Sequence, residues 1–315
     1  MNKVLLVYNT CGIRGDNTEH YVKCINSFLE QDFEGFKIVL SSCKNSPECI
    51  KKLISTFGNR ISYCLTPELH TVNITFNNAV RKSVEEFGDF ESYMYVDSGC
   101  WFEDKDIIQK TYDCLKSGQH GIVAVQVDND EALDVLDPKF KHSTDEIQIK
   151  GDHYVIPIGK SINQHVHLFS HKIYKNCNDK IEPDVFAAYC SESVFNYIAA
   201  ASNQRWVIMA DKQVNHHRSI DGASSGFSAT SRNHGNSWNN LLYGRDASEF
   251  INDKEAYEVG VGYEECNNIM NHNPDAYDEE GFVKNPDKLL KKVNQYFFLT
   301  DDELDYDKIK YKFLP

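Results

Sequence analysis

The chain has 315 residues, 41% of them hydrophobic and 25% charged; these proportions exclude a disordered or fibrous chain, and the length suits one catalytic-sized core with a smaller appendage. A formal charge of −14 repels phosphate backbones at long range and counts against bulk nucleic-acid binding, since no run of Lys and Arg offsets it. Ten cysteines, at positions 11, 24, 43, 49, 64, 100, 114, 177, 190 and 266, form no C-x-x-C pair, so they read as reduced thiols of a cytoplasmic protein rather than a zinc ribbon or redox motif.

The opening run Val4-Leu5-Leu6-Val7-Tyr8 is too short for a signal peptide or a membrane span. It reads as a first strand, ended by the polar turn Asn9-Thr10-Cys11-Gly12. Tyr21, Ile25, Phe28 and Leu29 recur at helical spacing, and Phe36 to Leu40 forms a second strand. A helix from Glu48 to Phe57 and a strand from Arg60 to Leu65 repeat the pattern. Val80, Val84 and Phe87 give a further helix its apolar face, and this helix leads into the strand Tyr93-Met94-Tyr95-Val96. Alternating strands and helices predict a mostly parallel, right-handedly wound sheet, and such sheets bind ligands at their carboxyl edge.

The Tyr93 strand ends in Asp97-Ser98-Gly99, which delivers a carboxylate to that edge. Hard oxygen there suits a divalent cation, and a cation neutralises a diphosphate. Gln126 to Pro157 is polar and reads as an insertion over one rim, a place for acceptor specificity. The glycine, serine and asparagine of Ile220 to Asn239 predict a flexible loop or lid. Leu289, Leu290, Val293 and Phe297 mark a helix in the C-terminal remainder of the chain. The expected organisation is a main domain over 1–220, a loop over 221–240 and a mainly helical extension over 241–315.

The segment Glu19 to Leu40, in which a helix ending in Ser27-x-x-x-Gln31 precedes the second strand, resembles the opening of family 2 glycosyltransferases with the GT-A fold. Thr75 to Ser83 resembles that family's N-x-A/G helix start, and Val96 to Gly99 falls where its D-x-D strand ends. Further on, His167 to Tyr174 resembles the strand and helix start ahead of the family's acceptor region. Phe186 to Phe195 is similar to its Y-x-E-D helix start, and Val214 to Ser219 to its late histidine. The resemblance covers about residues 3–220. Two departures stand out: Ser41 and Ser42 occupy the places of the family's paired aspartates after the second strand, and Asp97-Ser98-Gly99 lacks the second acid of D-x-D.

The resemblance implies an α/β fold of GT-A type and a hexosyl- or pentosyltransferase. Its donor would be a nucleoside diphosphate sugar, its acceptor a carbohydrate or other hydroxyl, its chemistry inverting, and its cation manganese or magnesium. Asp97 and Ser98 would meet the cation and diphosphate, with His216 and His217 as further metal ligands and Arg218 donating to phosphate oxygens. Glu192 would be the general base, with Asp184 in reserve. Tyr8, Asn9, Thr10 and Ser42 would border the nucleoside, and Asn77 would donate to the diphosphate or ribose. Tyr8 reads equally as a core tyrosine with its hydroxyl at the rim, and Asn77 as a helix cap. Two other functions stay open: a non-catalytic nucleotide-sugar or carbohydrate-binding module, and glycosylation of a hydroxymethylated base in viral DNA.

Overall fold

A computed structural model describes residues 2–12, 15–68, 70–127, 148–150, 152–156, 165–185, 192–216, 253–270, 276–300, 302 and 304–315. Strand β1 (Asn2–Cys11) lies inside a single large sheet, paired in parallel with β2 (Phe36–Cys43) on one side and β4 (Phe90–Val96) on the other. A strand covered on both faces needs apolar residues at consecutive positions. Val4 to Tyr8 supply them, each fully buried.

Beyond β2 come the parallel strand β3 (Ser62–Thr66) and the antiparallel edge strand β11 (Lys312–Leu314). On the other side, β9 (Val166–Ser170) runs antiparallel between β4 and β6 (His120–Val127). Strand β10 (Arg205–His216) then lies parallel to β6, flanked by the short β8 (His153–Val155) and β7 (Gln148–Lys150). The order is β11-β3-β2-β1-β4-β9-β6-β10-β8-β7, with β5 (Cys100–Trp101) pairing separately with β10. The strands β1 to β4, β6 and β10 therefore end at one common edge.

One face of the sheet is covered by α1 (Thr18–Leu29), α2 (Pro47–Phe57) and α4 (Ile107–Ser117), whose buried residues share a cluster with Val4, Leu6, Tyr8, Met94 and Val96. Buried Cys49, Leu53 and Phe57 recur every fourth residue along α2, whose Pro47 follows the capping hydroxyl of Ser46. The opposite face is covered by α3 (Val72–Phe87), α5 (His171–Asn176) and α6 (Glu192–Ala201). The Thr71 hydroxyl caps α3, and Gly88, at φ 77°, ends it in a conformation that a side chain would strain.

The C-terminal helices α7 (Asp253–Met270) and α8 (Pro286–Phe297) place Cys266, Met270, Leu289, Val293 and Phe297 in that same second cluster. The helical pattern around Leu289 is thus realised, and the final strand β11 is an element the sequence pattern did not reveal. The polar stretch over 126–157 is described only in part, chiefly as the end of β6 with β7 and β8, and the 221–240 loop lies outside the described residues. Among the described residues no helix is long and apolar enough to cross a membrane.

Candidate active site at the carboxyl edge of the sheet

Pairing across the sheet sets the site. Tyr8 is the register partner of Val96, and Val96 that of Val166. One residue further, Asn9, Asp97 and His165 fall side by side on three neighbouring strands. The Asp97 amide continues the ladder by donating to the His165 carbonyl at 3.0 Å. Strand alternation puts all three side chains on the face that carries α3.

His216 arrives from a different direction. Strand β10 runs for 12 residues, well past the Trp206–Met209 core, with an irregularity in its pairing to β6 between Ile208 and Gln213. Its last residue pairs with Cys100 of β5, directly after the Asp97 turn. The turn closes through a bond from the Cys100 amide to the Asp97 carbonyl, 3.0 Å. Its Ser98 carbonyl accepts from the buried Tyr8 hydroxyl at 2.6 Å.

Asp97, His165 and His216 thereby bring one oxygen and two nitrogen donors within 4.8 Å of one another. His165 Nδ1 lies 2.8 Å from Asp97 Oδ2, and the two imidazoles stack with centroids 4.0 Å apart and planes 14° from parallel. The Tyr95 hydroxyl donates to Asp97 Oδ1 at 3.3 Å. Burial pushes the Asp97 carboxyl up, but the His165 hydrogen bond and the charge of both imidazoles outweigh it and hold the group below its usual range. The aspartate is therefore anionic near neutral pH. Behind it, burial and the nearby His165 pull His167 down to about 3, so that ring stays neutral. One anionic oxygen with two imidazoles is a set that fits a divalent ion of borderline softness.

Several residues expected at the site have other duties. Tyr8 is fully buried and packs edge-on against Phe28, centroids 5.2 Å apart; it is a core residue that braces the Asp97 turn and has no free ring face for a base. The Asn77 amide donates to the Glu182 carbonyl (2.7 Å) and Asp184 Oδ1 (3.0 Å), while its oxygen accepts from the amides of Ile181 and Glu182, both at 3.1 Å. This satisfies the side chain and leaves nothing for a diphosphate. Thr10 and Ser42 both donate to Asn45 Oδ1, at 2.9 and 2.8 Å. Asn45 in turn donates to Asp16 at 2.6 Å, so these hydroxyls tie the ends of β1 and β2 to the loops beyond.

Asp184, the reserve base, is fully buried. It accepts from Lys180 Nζ (2.7 Å), Asn77 Nδ2 (3.0 Å), the Leu299 amide (3.2 Å) and the Tyr306 hydroxyl. A carboxylate with four donors and no exposed edge has no lone pair to offer an acceptor hydroxyl. It anchors the C-terminal segment. Asp184→Ala should lower the unfolding free energy by about 3–5 kcal/mol, the size for stranding one member of a buried ion pair. Urea denaturation checks this, and wild-type stability combined with lost turnover would return Asp184 to the reaction.

Asn9 is 5% exposed and neither atom of its amide has a partner among the described residues. Of the expected residues, the structure thus brings Asp97 and His216 together at the edge, with Asn9 beside Asp97. Glu192 is the first residue of α6. His217 and Arg218 lie outside the described residues. Sequence reasoning missed His165; the available signal was the alternation His165-Val166-His167 at the start of a strand, which puts both imidazoles on one face.

A mostly parallel sheet with antiparallel β9 inserted beside β4 and an acid at the end of β4 defines a fold of the GT-A glycosyltransferase type. Two solved structures share it. The crystal structure of S. aureus TarS superposes with a TM-score of 0.54 at 12% identity, covering 98% of this chain and 46% of TarS. The mannosyltransferase PcManGT from Pyrobaculum calidifontis, in complex with GDP-Man and Mn2+, superposes with a TM-score of 0.50 at 12% identity, covering 97% of this chain and 72% of that one. The chain thus spans about half the length of TarS. No family of related sequences and no curated protein matches the chain.

Proposed function

We propose that the chain is a glycosyltransferase that moves a sugar from a nucleoside diphosphate sugar to an acceptor hydroxyl, with a divalent cation at Asp97, His165 and His216. The observation that carries this reading is the convergence of one carboxylate and two imidazoles at the carboxyl edge of a fold shared with glycosyltransferases. A cation held there would act as a Lewis acid on the diphosphate, drawing off charge as the bond to the sugar breaks. Of manganese and magnesium, the mixed nitrogen and oxygen set favours manganese, because magnesium prefers oxygen alone.

The chain's own residues have distinct parts in this reading. Asp97 supplies the anionic oxygen, in an orientation fixed by Tyr95 and His165. Asn9, beside it, offers one donor and one acceptor to the donor substrate; leaving such buried groups unmatched costs about 1–3 kcal/mol each. Glu192 is the proposed general base. Phe195, less than one turn further along α6, packs 5.0 Å from the ring of His167 on β9, which stands two residues after His165. This supports a first helical turn close to the Asp97 edge. For inversion, the base takes the acceptor's proton as its oxygen attacks the anomeric carbon and the nucleoside diphosphate departs on the opposite side.

A thermal-shift panel of nucleoside diphosphates with and without manganese tests the binding half, because ligands that bind only the native state raise its apparent stability. One nucleotide should give a larger shift with manganese than without it. His165→Ala should weaken manganese binding by more than the roughly 10–100-fold that losing a ligand's outer partner costs, and abolish the manganese-dependent part of the shift. A nucleotide shift that ignores both manganese and this substitution would sink the reading.

A further inference from the structure

We infer that Cys11 and Cys43 form an oxidative modification site at the carboxyl edge, where a peroxide joins the two thiols in a reversible disulfide. They are register partners, the last pair of β1 and β2. Partners on adjacent parallel strands project to the same face with backbones about 4.7–4.9 Å apart. That spacing lies inside the range of about 4.4–6.8 Å that a disulfide spans between Cα atoms. A hydrogen bond with Cys11, together with burial, pushes the Cys43 thiol up.

Their exposure assigns the roles. Among the described cysteines, Cys11 alone is not buried, whereas Cys43 is 2% exposed. Cys11 therefore meets the oxidant and Cys43 resolves it. The Cys11 thiolate attacks one peroxide oxygen, the O–O bond breaks, and a sulfenic acid and one water result. The Cys43 sulfur then attacks that of Cys11, the S–O bond breaks, and the departing hydroxide takes up the remaining proton as a second water. The thiols lose two protons and two electrons, and the peroxide gains them.

The reaction alters the rim of the sheet. In the reduced state the Cys43 sulfur lies 3.4 Å from the His70 carbonyl and 3.8 Å from that of Glu68, and it accepts from the His70 amide at 3.4 Å. A disulfide sulfur has no hydrogen, so oxidation removes the single donor that Cys43 offers to this loop, which leads to the Thr71 cap of α3. Gly12, next to Cys11, has no slack on the other side, because a Cβ there would stand 2.4 Å from the Lys44 carbonyl oxygen. The backbone adjustment that closes the link therefore passes into the loops after β1 and β2, and its effect on the donor rests on the proposed function.

Trypsin separates the two cysteines cleanly. Val4 to Arg14 contains only Cys11, and Ile38 to Lys44 only Cys43. The intact protein is titrated with hydrogen peroxide, remaining thiols are blocked with iodoacetamide, and the unreduced digest is analysed by mass spectrometry. The two peptides should appear joined, short of two hydrogens, and separate again after dithiothreitol; the joined species should be absent from Cys11→Ser. Overturning results are Cys11 oxidised to sulfinate beside an alkylated Cys43, or Cys11 left untouched by peroxide. The map needs no turnover, so it stands or falls apart from the glycosyltransferase reading. In the oxidised protein, affinity for nucleoside diphosphate with manganese should fall several-fold and recover with dithiothreitol; a joined pair with unchanged affinity would overturn the coupling to the rim.

Discussion

Asp97→Ala is expected to lower sugar transfer by about 10²–10³-fold, the range for deleting one preorganised electrostatic group, with no loss of folded structure. The carboxylate is the only anionic member of the cluster, so its removal leaves two imidazoles with no negative charge to set against a divalent ion. His165 at the same time loses the partner at 2.8 Å that orients its ring. The fold should survive because the side chain is 23% exposed, and the backbone bonds of the turn, to the His165 carbonyl and from the Cys100 amide, do not involve it. Turnover in a manganese-supplemented donor assay and the thermal midpoint are the two measurements. Wild-type turnover in a folded variant would show that the centre lies elsewhere.

Glu192→Gln should leave donor binding nearly unchanged while turnover falls by about 10²–10⁴-fold, the usual worth of general-base assistance. Glutamine keeps the shape and hydrogen bonding of the residue but cannot take a proton. It is therefore more informative than alanine at the start of a helix, where any acid also interacts with the helix dipole. A purely dipolar role predicts a small change in stability and no change in rate. Nucleotide affinity by calorimetry and single-turnover rates separate the two, and an unaltered rate would leave the proton to another group. Asp184 is a poor heir to that task, since its acceptor positions are already filled.

Much of the frame was legible along the chain because it depends on local periodicity. Five consecutive apolar residues in β1 need cover on both faces, and Cys49, Leu53 and Phe57 at four-residue spacing need cover on one side of a helix. Those requirements imply strands alternating with helices before any contact is known. The strand ending in Asp97 was readable for the same reason, as an apolar run meeting an acid. Strand β11 was not. Three residues, Lys312 to Leu314, carry too short a pattern to distinguish an edge strand from a tail, and their pairing with β3 depends on the sheet already being there.

By itself, then, the sequence determined a mostly parallel α/β sheet with a carboxylate at the carboxyl end of β4, because burial patterns of period two and near four are local properties of a chain. Only the tertiary structure decided which side chains meet that carboxylate. His165 reaches it across the β4–β9 pairing, and His216 through the contact of β10 with β5, two imidazoles distant in sequence. Tertiary packing also separated open groups from satisfied ones: Asn9 and Asn77 are the same residue type, yet the amide of Asn77 is saturated and that of Asn9 has no partner among the described residues. Hydrogen-bond saturation depends on neighbours from several elements at once, and no spacing within one element records it.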